Sequence, residues 1–424
     1  VCTNGIGYVD LMFKTDSIAP EQIPYLGLLK SVLGYVDTEH YTYGELFNEI
    51  NANTGGINCG VEVFDRADST EEFQAMFSVR GKALYTKMDF LFKMIGEILN
   101  SSKLEDTKRL YEIVASVKSR AQVNLTGAGH STAVLRAAAY SSPMAAFQDE
   151  MAGIGYYQFI EKLEKDFEQR KEETVEELCK LMKKILRPEN FMISYTGERE
   201  SLETVQKLTG TVKAGLGTEP VEKSKEKLTC TKKNEGFKTS GQVQYVAQTG
   251  NFKKKGLEYT GALEILKVIL SYDYLWMNLR VKGGAYGCMS SFLRTGDSYF
   301  VSYRDPNLAK TNAVYEKIPE YVASFDPDER DMTKYIIGTF GALDTPLNPE
   351  AKGSRSMAAY LEHLTYEEIQ KERDEILTAT PADIRSLSDL IASILSDQCL
   401  CVVGNEHAIR EESGMFTSIQ GLCE

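Results

Sequence analysis

The stretch Leu26-Gly27-Leu28-Leu29-Lys30-Ser31-Val32-Leu33-Gly34-Tyr35 returns as Leu263-Glu264-Ile265-Leu266-Lys267-Val268-Ile269-Leu270-Ser271-Tyr272, with five identities in ten positions. The remaining apolar positions stay apolar. Each copy follows a strand-like run containing Tyr-Val, Tyr8-Val9 and Tyr245-Val246. Each precedes a second short helical stretch, a Gly-Gly pair (Gly55-Gly56 and Gly283-Gly284) and another strand. The far ends agree as well, because Asn190-Phe191-Met192-Ile193-Ser194-Tyr195-Thr196-Gly197-Glu198 closes the first unit as Gln398-Cys399-Leu400-Cys401-Val402-Val403-Gly404-Asn405-Glu406 closes the second. An internal duplication sets domain boundaries more firmly than residue propensity does. It predicts two homologous domains, 1–200 and 239–424.

Between them, residues 207–238 hold eight Lys against four Glu and few large apolar side chains. The segment 201–238 therefore reads as a basic, solvated linker. Within each copy the expected order is strand, helix, helix, two strands, a block of helices and a final strand. In the first copy Glu71 to Arg80 alternates as a long strand, and Thr86 is placed to cap a helix carrying Met88, Leu91, Phe92, Ile95 and Leu99. Further helices are expected near 104–125, 131–140 and 172–186, and in the second copy near 308–323, 329–341, 365–377 and 382–394. Runs of strands and of helices, without strict alternation, predict an α+β fold in which each domain is a mostly antiparallel sheet packed with helices.

A length of 424 residues suits two such domains, and 42% hydrophobic with 26% charged residues is a globular balance. The net charge of −13 disfavours nucleic acid and anionic membranes as partners and leaves basic ligands electrostatically welcome. No apolar run approaches the roughly 18 residues that span a bilayer. Eight cysteines, neither dense nor patterned, fit free thiols in a reducing compartment. The chain opens at Val1 and enters a strand within a few residues, which reads as a piece of a longer polypeptide.

Phosphate loops, nucleophile elbows, EF-hands and Cys-x-x-Cys pairs are missing from the sequence. The four histidines, His40, His130, His363 and His407, are too scattered for a one-helix metal site. The most unusual local run is Leu275-Trp276-Met277-Asn278-Leu279-Arg280-Val281-Lys282-Gly283-Gly284-Ala285-Tyr286-Gly287, which contains the single Trp. A helix should end near Lys282, and the glycines allow a sharp corner into a strand. Arg280 and Tyr286 then converge from different elements. A permanent cation and a phenolic donor at one point suit negative charge developing on a carbonyl oxygen. The alternative is an Arg at a helix C-terminus and a Tyr packed in a sheet core.

This run, with Asp37-Thr38-Glu39-His40-Tyr41 and Asn53-Thr54-Gly55-Gly56-Ile57 upstream, resembles the C-terminal half of the pitrilysin/insulinase zinc peptidases, most nearly their presequence-protease subfamily. The resemblance implies four homologous domains in two halves that close like a clamshell around a chamber. The absent N-terminal half would supply the zinc through a His-x-x-Glu-His helix. This chain would supply Arg280 and Tyr286 to bind the substrate carbonyl, with Gly283, Gly284 and Ala285 as substrate-binding residues. Setting the family's zinc helix on the two repeats puts Leu26, Leu29 and Lys30, and likewise Leu263, Leu266 and Lys267, where ligands and base would stand. None of these can hold a divalent cation, so no metal is expected in this chain, which alone should be peptidase-inactive. Its partners would be the N-terminal half and unfolded peptides. Its location would be the cytoplasm in a bacterium or an organelle matrix in a eukaryote. The competing readings are a non-catalytic structural or peptide-recognition subunit of the same fold, and a module binding basic peptides without hydrolysis.

Overall fold

The structure, a computed structural model, describes residues 1–224, 226 and 228–423; Lys225, Lys227 and Glu424 lie outside the described residues. The first unit opens with β1 (Ile6–Lys14), α1 (Ile23–Val32) and α2 (Tyr43–Asn53), then the hairpin β2 (Ile57–Asp65) and β3 (Phe73–Leu84). Helices α3 (Met88–Ser101), α4 (Thr107–Gly127), α5 (Gly129–Ala138), α6 (Pro143–Ala152), α7 (Ile154–Lys165) and α8 (Phe167–Ile185) lead to β4 (Phe191–Thr196). After α9 (Leu202–Ala214) the second unit begins with β5 (Glu235–Thr239), β6 (Gln244–Asn251) and α10 (Ala262–Ile269). A π-helical stretch then precedes the hairpin β7 (Gly287–Phe292) and β8 (Asp297–Tyr303). The helices α11 (Ala309–Glu316), α12 (Ile318–Ala323), α13 (Glu329–Leu343), α14 (Pro349–Leu361), α15 (Tyr366–Thr378), α16 (Pro381–Ser386) and α17 (Ser388–Ser396) follow. The chain closes with β9 (Cys399–Asn405), α18 (Glu406–Glu411) and β10 (Ser418–Gly421).

The duplication is visible in the sheets. Among the described residues the first sheet has the order β2-β3-β1-β4, with antiparallel neighbours throughout. The second repeats that order as β7-β8-β6-β9, again antiparallel, and adds β5 and β10 in parallel beyond β9. This is the α+β architecture with mostly antiparallel sheets that the run of elements predicts. Strand alternation sorts the faces: Val9, Leu11 and Phe13 of β1 enter the core under the unit's own helices, whereas Met12 points to the opposite face. The same split in the second unit puts Val246 in one core and Tyr245 and Ala247 in another.

The opposite faces are covered by exchange. Helix α5 of the first unit lays Ala133 and Ala137, with Tyr140 just beyond, onto Phe237, Tyr245, Ala247, Val301, Cys401 and Val403 of the second sheet. Helix α14 of the second unit lays Met357 and Leu361 onto Met12, Phe64 and Met76 of the first. Each contact passes through a glycine. A β-carbon at Gly129 would overlap the Tyr245 ring, and one at Gly353 would overlap Thr196 Oγ1.

The structure divides the expected 201–238 linker. Helix α9 buries Val205 and Val212, with Leu216, in the first core, and Glu235–Thr239 is a strand of the second sheet. Helices α6, α7, α9 and α14 were not expected from the sequence; α14 buries only Met357 and Leu361, too few for a visible period. Thr86 does not cap α3, which is entered through a 3₁₀ turn, Tyr85–Lys87, with Lys87 at the N-cap position.

Candidate functional site

The helix that should end near Lys282 is wound as π segments, Leu270–Tyr274 and Trp276–Val281. The π winding is rare and is concentrated at functional sites. Its wider turn brings Arg280 back over Trp276, the guanidinium carbon lying 4.4 Å from the indole centroid. Val281, Met277 and Trp276 stay exposed along this stretch, as does Tyr272.

The corner after the π segment is built from glycine. The Gly284 N–H donates to Arg280 O at 3.0 Å and the Ala285 N–H to Leu279 O at 2.8 Å, closing the helix end. Gly284 has φ +83°, the left-handed region, and a β-carbon at Gly283 would stand 2.5 Å from Leu279 O. Asn307 fixes the corner from outside: its Nδ2 donates to Gly283 O at 2.7 Å, while its main-chain N–H donates to Asp305 Oδ1 at 2.8 Å. Asp305 is fully buried, accepts Thr311 Oγ1 at 2.6 Å and exchanges main-chain bonds with Gln244 at 2.7 and 2.9 Å. Burial raises its carboxyl above the usual range, with Thr311 and Asn307 drawing it back down.

Arg280 and Tyr286 meet as the sequence expects. The guanidinium carbon is 5.2 Å from the Tyr286 ring centroid, and Nη1 donates to the Tyr286 carbonyl. The Tyr286 N–H donates to Tyr303 O at 3.0 Å, which starts the β7–β8 ladder. Tyr286 is 64% exposed, which removes the alternative of a tyrosine packed in a sheet core. Ala285 is buried, so in the segment 283–285 the glycines form the exposed corner and Ala285 anchors it. Beneath Tyr286 lies Tyr303, ring centroids 6.0 Å apart, and beyond it His130 of α5 at 5.0 Å. Burial lowers the basicity of the His130 imidazole, whose Nδ1 is buried without a hydrogen-bond partner. The thiol of Cys288, on β7, is pushed up to about 11 by burial, with Arg280 opposing.

The positions where the family's zinc helix falls carry the wrong chemistry. Leu26, Leu29, Leu263 and Leu266 are core residues, exposed by at most 1%. Lys30 reaches Met151 Sδ at 3.3 Å, and Lys267 pairs with Glu264. Hydrocarbon and ammonium groups offer no lone pair to a cation, so zinc does not fit here. Among the described residues no three of His, Cys, Asp and Glu stand together as a metal site. His40 pairs with Glu97 at 3.0 Å and His407 with Glu411 at 3.3 Å, far apart in the fold. Among the described residues no helix is long and apolar enough to cross a membrane.

Comparisons with known proteins agree with this geometry. Residues 1–163 match the model of the associated domain of the M16 peptidases, subfamily C, and residues 234–405 match the PreP C-terminal domain. The protein HypA of Clostridium perfringens is 39% identical over 422 residues, covering 100% of this chain and 43% of that protein. Presequence protease 1, chloroplastic/mitochondrial, of Arabidopsis thaliana is 30% identical over 394 residues, covering 92% of this chain and 36% of its own length. This chain thus spans less than half the length of these relatives. In fold it resembles the peptidase M16 inactive domain from Pseudomonas fluorescens, with a TM-score of 0.64 at 14% identity, covering 96% of this chain and 94% of that one. Sequence and fold together make this chain a member of the M16 peptidase family, corresponding to the C-terminal half of a presequence-protease-like peptidase.

Proposed function

We propose that this chain is the non-metal half of a zinc metalloendopeptidase that degrades unfolded peptides in a closed chamber. In this reading an N-terminal half carries the zinc and the general base, and the present chain binds the substrate carbonyl. The observation that carries it is the pairing of Arg280 with the exposed Tyr286 on one glycine corner. A guanidinium has five N–H donors in a fixed fork, and Nη1 is committed to the Tyr286 carbonyl, leaving others for a ligand. Held by Trp276 and the corner, these donors need no reorganisation when charge develops on a carbonyl oxygen. The exposed apolar strip of Tyr272, Trp276, Met277 and Val281 suits the backbone and apolar side chains of an unfolded peptide. The acidic balance of the chain favours basic peptides.

In the complete two-half protein, Tyr286→Phe should lower kcat by roughly 10²–10³, the range for loss of one oxyanion donor, with zinc content intact. An unchanged kcat returns Tyr286 to a structural role. The isolated chain should cleave no peptide, and chelator-sensitive cleavage by it would overturn the division of labour. A second reading, a peptide-recognition subunit without hydrolysis, is favoured by the same apolar strip. The partner half decides between them: without His-x-x-Glu-His there, recognition alone remains.

A further inference from the structure

The exchange of α5 and α14 leaves a cavity under each helix, and the two differ in chemistry. Under α14 a cavity of about 320 Å³ is lined by Tyr8, Asp10, Asn58, Arg80, Lys82 and Thr196. Its charges are paired internally, Arg80 Nε donating to Asp10 Oδ2 at 2.7 Å and Lys82 facing Glu350 at 3.4 Å. Under α5 a cavity of about 240 Å³ is walled by Val134, Leu135, Ala138, Met289, Leu293 and Val301. The strand registers make the two equivalent. With Tyr8-Val9 set on Tyr245-Val246, the cross-strand row Asn58, Arg80, Asp10, Ser194 corresponds to Met289, Val301, Ala247, Cys401. The duplicated fold keeps the cavity and replaces an ion pair with apolar walls.

The apolar cavity adjoins the candidate site. Val301 is two residues from Tyr303, whose ring touches Tyr286 on one side and His130, in the cavity wall, on the other. Met289 follows Tyr286 by three residues on β7, about 10 Å at the rise of a strand. At about 240 Å³ the cavity is smaller than the roughly 300–1,000 Å³ of a small-molecule site, so it suits one side chain better than a free cofactor. A basic side chain is disfavoured. The one carboxylate in the wall, Asp297, is already engaged by Ser142 Oγ and Asn251 Nδ2, both at 2.7 Å.

We propose that this cavity is a specificity pocket that takes one bulky apolar side chain, aromatic or long aliphatic, of a peptide whose carbonyl is bound at Arg280 and Tyr286. The pocket lies about three residues along an extended peptide from the bound carbonyl. The inference rests on the peptide-binding reading above. An unfilled apolar wall lacks contact atoms on one side, and a side chain of the peptide restores them.

The test uses the complete two-half protein and an unfolded peptide carrying benzoylphenylalanine, an apolar photo-reactive residue that attacks C–H bonds, with the labelled residue found by mass spectrometry. Labelling is expected on Met289 or the neighbouring Met144, reduced about tenfold or more by Ala138→Phe, which fills the pocket from α5. In the unaltered protein, a competitor with Phe at the probe position should suppress labelling at least about tenfold better than one with Ser, an arm that requires no variant. Labelling confined to the exposed Trp276 and Met277, or equal competition by the Phe and Ser peptides, overturns the pocket. The readout requires no turnover, so the two failures separate. Hydrolysis without pocket labelling refutes the pocket alone, and pocket labelling without hydrolysis refutes the peptidase reading alone.

Discussion

Arg136 of α5 grips Glu235 of β5 with a two-pronged ion pair, Nε to Oε2 at 2.6 Å and Nη2 to Oε1 at 3.2 Å, that joins the first unit to the second sheet. Arg136 Nη1 also reaches Asp149 Oδ2 at 2.6 Å, and the Tyr140 hydroxyl donates to Glu235 Oε2 at 2.9 Å. Asp149 in turn accepts the N–H groups of Ile154 and Gly155 at the start of α7. Both carboxylates are about 97% buried. A buried network in which every member is bonded holds one arrangement of its elements, here α5 on the second sheet.

Arg136→Met should therefore be severe. It strands two buried carboxylates, and removing one partner of a buried pair costs about 3–5 kcal/mol. Urea unfolding of the variant and the parent measures the loss, and a change within about 0.5 kcal/mol, the scatter of an ordinary surface substitution, would show that the network does not hold the units together.

The crossing glycines give a paired prediction. Gly353→Ala and Gly129→Ala each force a methyl group into Thr196 or Tyr245 and should destabilise by about 1–3 kcal/mol through overpacking. Gly210→Ala, exposed in the interior of α9 with no atom near its missing β-carbon, should stabilise by about 1 kcal/mol. Thermal denaturation of the three variants tests the exchange directly, because only the first two sit where a helix of one unit crosses the sheet of the other.

Asn307→Ala should loosen the corner without touching a ligand. It removes the bond to Gly283 O at a stability cost of about 1 kcal/mol. In the complete protein kcat should fall, zinc content staying constant, because Arg280 and Tyr286 lose their fixed separation. A stability loss with kcat unchanged would make Asn307 structural only.

Glu362, which follows α14, carries a pH signature. Burial raises its carboxyl above the usual glutamate range, Asp65 of the first unit adds to the rise, and Arg294 opposes it. A carboxyl raised on folding binds its proton more tightly in the folded state. Its contribution is complete below the unfolded value and is lost as pH rises through the folded value. Glu362→Gln should thus raise the melting temperature at about pH 8, with the gain disappearing near about pH 4. A gain that is independent of pH would remove the titration as its cause.

Much of this was legible in the residues. The Leu26 and Leu263 repeats, the Tyr-Val strands and the Gly-Gly pairs are local patterns, and the sheets they imply recur in the same order in both units. The corner was equally legible, since glycines followed by a strand define backbone geometry over a few residues. What the residues concealed was the π winding of 270–281, because an apolar run with helical spacing reads the same for either winding. Helix α14 was concealed for a related reason: its two buried residues find their partners, Met12, Phe64 and Met76, in the other unit.

The sequence by itself determined that the chain is a duplicated α+β unit, that neither copy can bind zinc where its relatives would, and that Arg280 and Tyr286 flank one glycine corner. These follow from residue type and short-range spacing. The tertiary structure alone decided which helix covers which sheet, that Tyr286 stands in solvent, and that the cavity beneath α5 is apolar while its counterpart beneath α14 is charged. Those depend on cross-strand register and on contacts between segments more than a hundred residues apart, where packing and burial select the partner and local propensity has no say.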